Sequence, residues 1–302
     1  MSPGFSPSFD DKDADLIIRT NDNKELRVFK LLLRKASPVF EEMFLTSDNL
    51  EDKRDTVPSV DVTEGSLTMT SVLQLCYPLP DPTFYEINEA TFINAVCDKY
   101  KMEAAQIRLL GIVCRTFTPT EPFLVYGVAC QFRARRDEAR QAAFQCLSIP
   151  LDDIINSDHP IARNISMPAF KNLIQYYGKC RMAAGKALSD LSWFSGYSCW
   201  QRCRLGDTST TSECPFGACL QYAQNRYSTR QWFLDIVNPL KQYLLHQATP
   251  TALQLSDHVR FPKNLPCRFC QTELAGDLHC FLNLLQSEIE RRVKEVEFKA
   301  DF

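Results

Sequence analysis

Glycine is scarce in this chain of 302 residues, with ten in all. None of them builds a G-x-G-x-x-G turn or a G-x4-G-K-[ST] loop, so no dinucleotide or phosphate cradle is expected. Gly185-Lys186 lacks the upstream glycine at the needed distance and is followed by Ala187. G-x-S-x-G and H-E-x-x-H are absent as well, which removes the nucleophile elbow and the helical zinc-protease site. Histidine is scarcer still, and His159, His246, His258 and His279 are scattered. A cysteine–histidine nucleophile would have to be assembled by the fold; nothing in the sequence argues for catalysis. A basic excess is also missing: 34 Lys and Arg stand against 37 Asp and Glu, a net charge of −3. Nucleic-acid binding needs a basic footprint, so no nucleic-acid partner is expected. No apolar run is long enough to span a bilayer. The opening residues, MSPGFSPSFDDKD, have no basic flank and no apolar core, so they do not read as a secretory leader. The expected setting is intracellular, in cytoplasm or nucleus, without a membrane.

What is present is a substantial core. Hydrophobic residues make up 45% and charged residues 24% of the chain, the balance of a globular protein of one large or two ordinary domains. The most informative stretch runs from Asp15 to Phe44. Leu16, Ile17 and Ile18 are an apolar run that favours a strand. Asn21-Asp22-Asn23 is turn chemistry, and Leu26 and Val28 mark a return strand. A helical pattern begins near Lys30. Ser37-Pro38 opens a second helix, serine suiting the N-cap and proline the first helical position. Val39, Phe40, Met43 and Phe44 give that helix its apolar face.

These residues, Asp15, Leu26-x-Val28-x-Lys30, Leu33, Ser37-Pro38-Val39-Phe40 and Met43-Phe44, resemble the opening of a BTB/POZ domain. The family usually has histidine before the lysine, where this chain has Phe29. Tyr77-Pro78 and Asp98-Lys99-Tyr100-Lys101-Met102 are similar to strings in BTB proteins of fungal type. The resemblance covers about Asp13 to Phe117. It implies a short mixed sheet flanked by helices, and association with a second copy or another BTB protein through the helices and a strand edge.

The rest of the chain reads in register with that expectation. Residues 46–56 form a polar loop, and Ser59 to Val62 a third strand. Thr63 can cap a helix carrying Met69, Val72, Leu73 and Cys76, which Tyr77-Pro78 ends. Ile93, Val96, Cys97 and Tyr100 share one helical face, and Ile107, Leu110, Cys114 and Phe117 another; the two helices read as an αα-hairpin joined near Lys101. Beyond Pro119 the pattern is helical, with Thr118 or Thr120 as a cap, Val125, Ala129 and Cys130 inside, and helices near 137–147, 151–157 and 167–191. This stretch resembles the BACK-like extension that follows many BTB domains. Arg133, Arg135, Arg136 and Arg140 lie among Asp137 and Glu138, which marks a solvated face. Near Trp193 the composition turns aromatic and cysteine-rich. A helix returns around 229–246 with Trp232, Phe233, Ile236 and Val237 inside. The chain ends in an amphipathic helix whose stripe is Leu278, Phe281, Leu282, Leu285, Ile289, Val293 and Val296. The expected plan is α+β: a tail at 1–12, a BTB/POZ-like domain at 13–118, a helical extension at 119–192, and a cysteine-rich, mostly helical region at 193–302.

Two groups stand out among the thirteen cysteines. Cys76, Cys97, Cys114, Cys130 and Cys146 are well separated on apolar helix faces, where a free thiol acts as a small hydrophobe. The second group is paired. Three residues separate Cys199 from Cys203 and two separate Cys267 from Cys270, with Cys214 and Cys219 a reserve pair. Four thiolates fill a tetrahedral zinc site and leave no open position. One structural zinc on Cys199, Cys203, Cys267 and Cys270 is therefore weighed against free thiols in a small core. Metal analysis of dialysed protein would read the first as one equivalent per chain.

The reading is a non-catalytic scaffold or adaptor. Within the family, an apolar residue, any residue and then an acid can dock a cullin-type ubiquitin ligase, and Leu50-Glu51-Asp52 fits that triplet in the polar loop. A transcriptional or chromatin regulator is the further alternative, and the near-neutral composition speaks against it.

Overall fold

The computed structural model describes residues 9–47, 57–132, 136–194, 216–222, 225–246, 248–249, 252–259 and 268–299. Two compact units emerge: residues 1–142 with 160–164, and residues 143–159 with 165–302.

The first unit begins with a hairpin. β1 (Leu16–Arg19) pairs antiparallel with β2 (Glu25–Val28), with Leu16 opposite Val28 and Arg19 opposite Glu25. Asn23 takes a positive φ of 58° in the turn, which asparagine tolerates. β3 (Ser59–Asp61) joins β1 in parallel, giving the order β2-β1-β3. Leu16, Ile17 and Ile18 are all buried. A central strand covered on both faces reads as a continuous apolar run, and this one does.

Helices α1 (Lys30–Ala36) and α2 (Pro38–Ser47) follow at once. Ser37 caps α2 as its sequence suggests: its Oγ accepts from the Phe40 amide at 3.1 Å. The same hydroxyl donates to the Tyr100 carbonyl at 2.5 Å, tying α2 to a residue 63 positions on. The other caps come from the hairpin. Asp15 accepts from the Lys30 amide at the start of α1, at 2.7 Å. Asp22, in the hairpin turn, accepts from both the amide and the hydroxyl of Ser66, at 2.9 and 2.6 Å, at the start of α3 (Ser66–Cys76). Thr63 is not the cap of α3; Gly65 holds that position and makes no side-chain bond. Thr63 Oγ1 instead bonds Glu64 and Lys99, because the carboxylate that meets the open amide arrives from a distant turn.

α4 (Ile87–Lys99) and α5 (Glu103–Phe117) form the expected αα-hairpin. Lys101 sits at φ 52°. The Met102 amide reaches back to the Cys97 carbonyl at 2.8 Å, and the Lys101 amide to the Asp98 carbonyl at 3.0 Å. These paired bonds, with a left-handed residue between, satisfy the orphan carbonyls at the end of a helix. The buried face of α5 is Ala105, Leu109, Leu110, Ile112, Val113 and Phe117. Ile107, expected inside, is exposed, because α5 packs against α3 and α4 on one side and α6 on another, which rotates the buried arc. α6 (Pro122–Ala129) is buried on every side, sandwiched by α5, α4 and the short α9 (Pro160–Arg163). Its N-cap is Glu121, which makes no side-chain bond, and not Thr118 or Thr120. Pro122 at the first helical position supplies a ready-made turn.

α7 (Arg136–Cys146) carries the chain from the first unit into the second. α8 (Leu151–Ile155) is a single turn and a half. α10 (Met167–Ser189) is capped by Ser166, whose Oγ accepts from the Ala169 amide at 3.3 Å. A 3-10 turn at Ser192–Phe194 follows. A β-hairpin then stands in the stretch read from sequence as irregular and helical. β4 (Phe216–Tyr222) pairs antiparallel with β5 (Asn225–Arg230), and a register shift falls between Phe216 and Cys219. α11 (Gln231–Leu244), α12 (Ala252–Asp257) and α13 (Arg268–Lys294) complete the unit. The stripe predicted on α13 is the core here: Leu278, Phe281, Leu282, Leu285, Ile289 and Val293 are buried, and α13 packs along α10. Trp193 stacks on Phe281 at 6.1 Å, and Phe194 meets it edge-on at 5.3 Å. The aromatic cluster that breaks the helical pattern is thus a plug for this core.

Candidate interaction surface

The first unit is a mount tied together by three polar clusters. Arg108 of α5 donates to the carbonyls of Gln74, Leu75, Tyr77 and Leu79, between 2.6 and 3.2 Å. Its Nε also holds Asp81 at 2.7 Å. One guanidinium fork thereby takes up the orphan carbonyls at the end of α3 and the turn after it. Asp81 accepts a second cation, Arg115, at 2.8 Å.

The second cluster joins the β3–α3 connection to α4. Glu64 accepts from Lys99 Nζ at 2.6 Å and from Tyr100 Oη at 2.8 Å. Burial alone would raise the Glu64 carboxyl; the bonds from Lys99 and Tyr100 outweigh it and hold the group below its ordinary value. The Tyr100 ring stacks on Phe40 at 4.6 Å. The third cluster is the Asp22 clasp. Bonds from Ser66 and then Thr20 hold its carboxyl down to about 2.

On this mount several large apolar side chains face outward. Leu31 of α1 is 63% exposed, Tyr85 80% and Phe92 of α4 68%. Leu45 of α2, Leu67 of α3 and Ile107 of α5 are also exposed. Tyr85 lies in the approach to α4, two residues before the helix begins. The sheet contributes an edge. Among the described residues β3 is one edge of the sheet, with Ser59 and Asp61 exposed. The opposite edge is covered near Phe9, whose carbonyl accepts from the Arg27 amide at 2.8 Å and whose ring meets Tyr77 edge-on at 5.3 Å. Tyr77 Oη in turn accepts from the Phe29 amide at 2.7 Å. Phe29 is therefore tied to α3's end through its backbone amide.

The residues singled out in the sequence are placed unevenly. Leu50, Glu51 and Asp52 lie outside the described residues, between α2 and β3. Cys199, Cys203, Cys214 and Cys267 also lie outside them. Cys219 falls in β4 and Cys270 in the first turn of α13. The core cysteines are legible: Cys97 and Cys146 are buried, and Cys76, Cys114 and Cys130 are half-buried. Cys180 of α10, which sequence reasoning passed over, is buried too. Burial pushes the Cys97 and Cys130 thiols up to about 12 and those of Cys76, Cys114 and Cys180 up to about 11. These groups stay protonated at neutral pH, and a protonated thiol is a poor nucleophile. What the sequence did not announce is the set of outward apolar residues. Their signal was present as breaks in the helical stripes, such as Phe92, which shares the exposed side of α4 with Ala95.

No described helix is long and apolar enough to cross a membrane. The family model of the BTB/POZ domain matches residues 5–114. The match runs from the segment before β1 into the last turn of α5, and takes in the hairpin, α1 to α4, most of α5 and every residue of the three clusters above except Arg115. No curated protein matches the chain.

Proposed function

We propose that the chain, whose residues 5–114 are a BTB/POZ domain, works by self-association or by pairing with another BTB protein. The family match carries this reading, since the domain is an interaction fold. Leu31, Tyr85 and Phe92, all exposed on the first unit, support it. Single exposed apolar residues are ordinary on protein surfaces; what matters here is that several belong to helices of one interaction domain. The outer edge of β3 offers a second mode, since an unpaired strand can accept an extended segment. The helical second unit would then serve as a scaffold carried by the association.

A ligase-adaptor role is the second reading. Its support is positional: Leu50-Glu51-Asp52 lies in the connection that leaves α2, an apolar-x-acid triplet in a polar stretch. Tagged chain captured from its own cells, beside the Leu50→Ala/Asp52→Ala variant, decides it by mass spectrometry. A cullin recovered with the parent and lost with the variant makes the chain an adaptor. Recovery of the chain itself or of other BTB proteins alone removes that reading and leaves self-association.

A further inference from the structure

The second unit has a surface of a different kind. Its longest described run outside α13 is α10, and that helix contains no aspartate or glutamate. One side of it is fully committed to the core: Leu173, Tyr176, Tyr177, Cys180, Ala184, Ala187 and Leu188 are buried. The other side presents Met167, Lys171, Gln175, Gly178, Lys179, Met182 and Lys186, all exposed. At 100° per residue these positions fall within an arc of about 120°, so they make one continuous strip. Met167 is 75% exposed and Met182 62%.

A solvated helix face ordinarily interleaves charges of both signs, because opposite charges three or four residues apart stabilise it. This strip has only one sign. Among the described residues, Lys171, Lys179, Arg181 and Lys186 form no ion pair. Arg181 instead lies over the Tyr177 ring, 6.0 Å from its centroid, at the margin of the strip. The three lysines span about 22 Å of helix, with methionines between and beside them. Methionine is unbranched and polarizable, and it adapts to varied apolar partners.

From this arrangement we propose that the exposed face of α10 is a docking surface for an acidic, amphipathic segment of a partner protein. Its carboxylates would meet Lys171, Lys179 and Lys186, and its apolar side chains would cover Met167 and Met182. A membrane surface fits less well, since the apolar face that an interfacial helix must insert is already buried in the unit's own core. Nucleic acid fits less well too, because the strip has no aromatic residues interleaved with its cations. The surface lies in the second unit, outside the BTB/POZ domain, and does not depend on the association proposed above.

The test uses the full chain and a fluorescein-labelled peptide of repeating Glu-Glu-Leu-Leu, read by fluorescence anisotropy. A matched peptide with Gln for Glu is the control. Phosphatidylserine vesicles and a single-stranded oligonucleotide are the rival probes. The expected result is binding of the acidic peptide that weakens with added salt. Combined Lys171→Glu, Lys179→Glu and Lys186→Glu reversal should weaken it by about tenfold or more. Lys→Gln at the same positions should weaken it less, and Lys→Arg should preserve it. Circular dichroism of each variant checks that the helix is intact, and the Gln set stands in if the reversed set does not fold. Equal binding of the Gln peptide, affinity unchanged by the lysine variants, or no binding by the parent overturns the proposal. Capture by vesicles or oligonucleotide in place of the peptide also overturns it.

Discussion

At the scale of single residues, the first unit is held by a few side chains that do more than fill space. Arg108 serves four carbonyls and one carboxylate. Arg108→Ala should lower the unfolding free energy by about 2–3 kcal/mol, because it strands acceptors at the end of a helix. Arg108→Lys should recover little of the loss, since an ammonium cannot reproduce the fork. Urea denaturation of the variants measures both. Lys101 has the opposite potential. It occupies a left-handed conformation without being glycine, which costs about 1 kcal/mol. Lys101→Gly should therefore raise stability by a few tenths to about 1 kcal/mol in the same assay. Neither residue was legible as structural in the sequence. Arginine on a helix reads as solvent-facing, and Asp98-Lys99-Tyr100-Lys101 carries no glycine to announce the left-handed cap.

At the scale of elements, local grammar was enough where the residues involved are close in sequence. The apolar run of β1, the Asn21-Asp22-Asn23 turn and the Ser37-Pro38 start of α2 were readable for that reason. So was the α13 stripe, whose repeat runs over several turns. The cap of α3 was not, because Asp22 acts on Ser66 across 44 positions. The β4–β5 hairpin was missed because its strands carry glycine, cysteine and glutamine where alternation would show, and because Ala223-Gln224 between them is not turn chemistry. Of the proposed interaction surface, the helices were legible and the outward apolar residues were not. Which side of a helix is buried depends on its neighbours, as Ile107 shows. The Asp22 clasp yields a prediction at this scale. Its carboxyl is held at about 2 in the folded chain, below the ordinary value near 4. A carboxyl depressed by folding adds stability above its unfolded pKa and loses it as the pH falls through the folded pKa. Urea midpoints should therefore decline between about pH 4 and pH 2. Asp22→Asn should start from a lower midpoint and decline less over that window. Identical slopes for parent and variant would show that the clasp contributes nothing.

At the scale of the whole molecule, the two units divide the chemistry. The first contains the BTB/POZ domain at residues 5–114; Asp15 and Asp22 at its hairpin cap two helices, and its helices present apolar side chains. The second is a helical body sealed by an aromatic plug, with a cationic strip along α10. Glu288 of α13 belongs to that body. Bonds from Arg291 and then Arg292 hold its carboxyl below its ordinary value, and Arg292 also reaches Asp190 after α10, at 3.4 Å. The account of the chain rests on association, which the BTB/POZ match over residues 5–114 carries. The most direct measurement is capture of the tagged chain from its own cells. Untagged chain and other BTB proteins are counted by mass spectrometry, for the parent and for Leu31→Glu/Phe92→Glu. Both substitutions are at exposed positions, and circular dichroism confirms that the variant is folded. The account predicts stoichiometric recovery of a second copy or of another BTB protein with the parent, and a loss of about tenfold or more with the variant. Recovery of neither with the parent, or equal recovery with both, would contradict it.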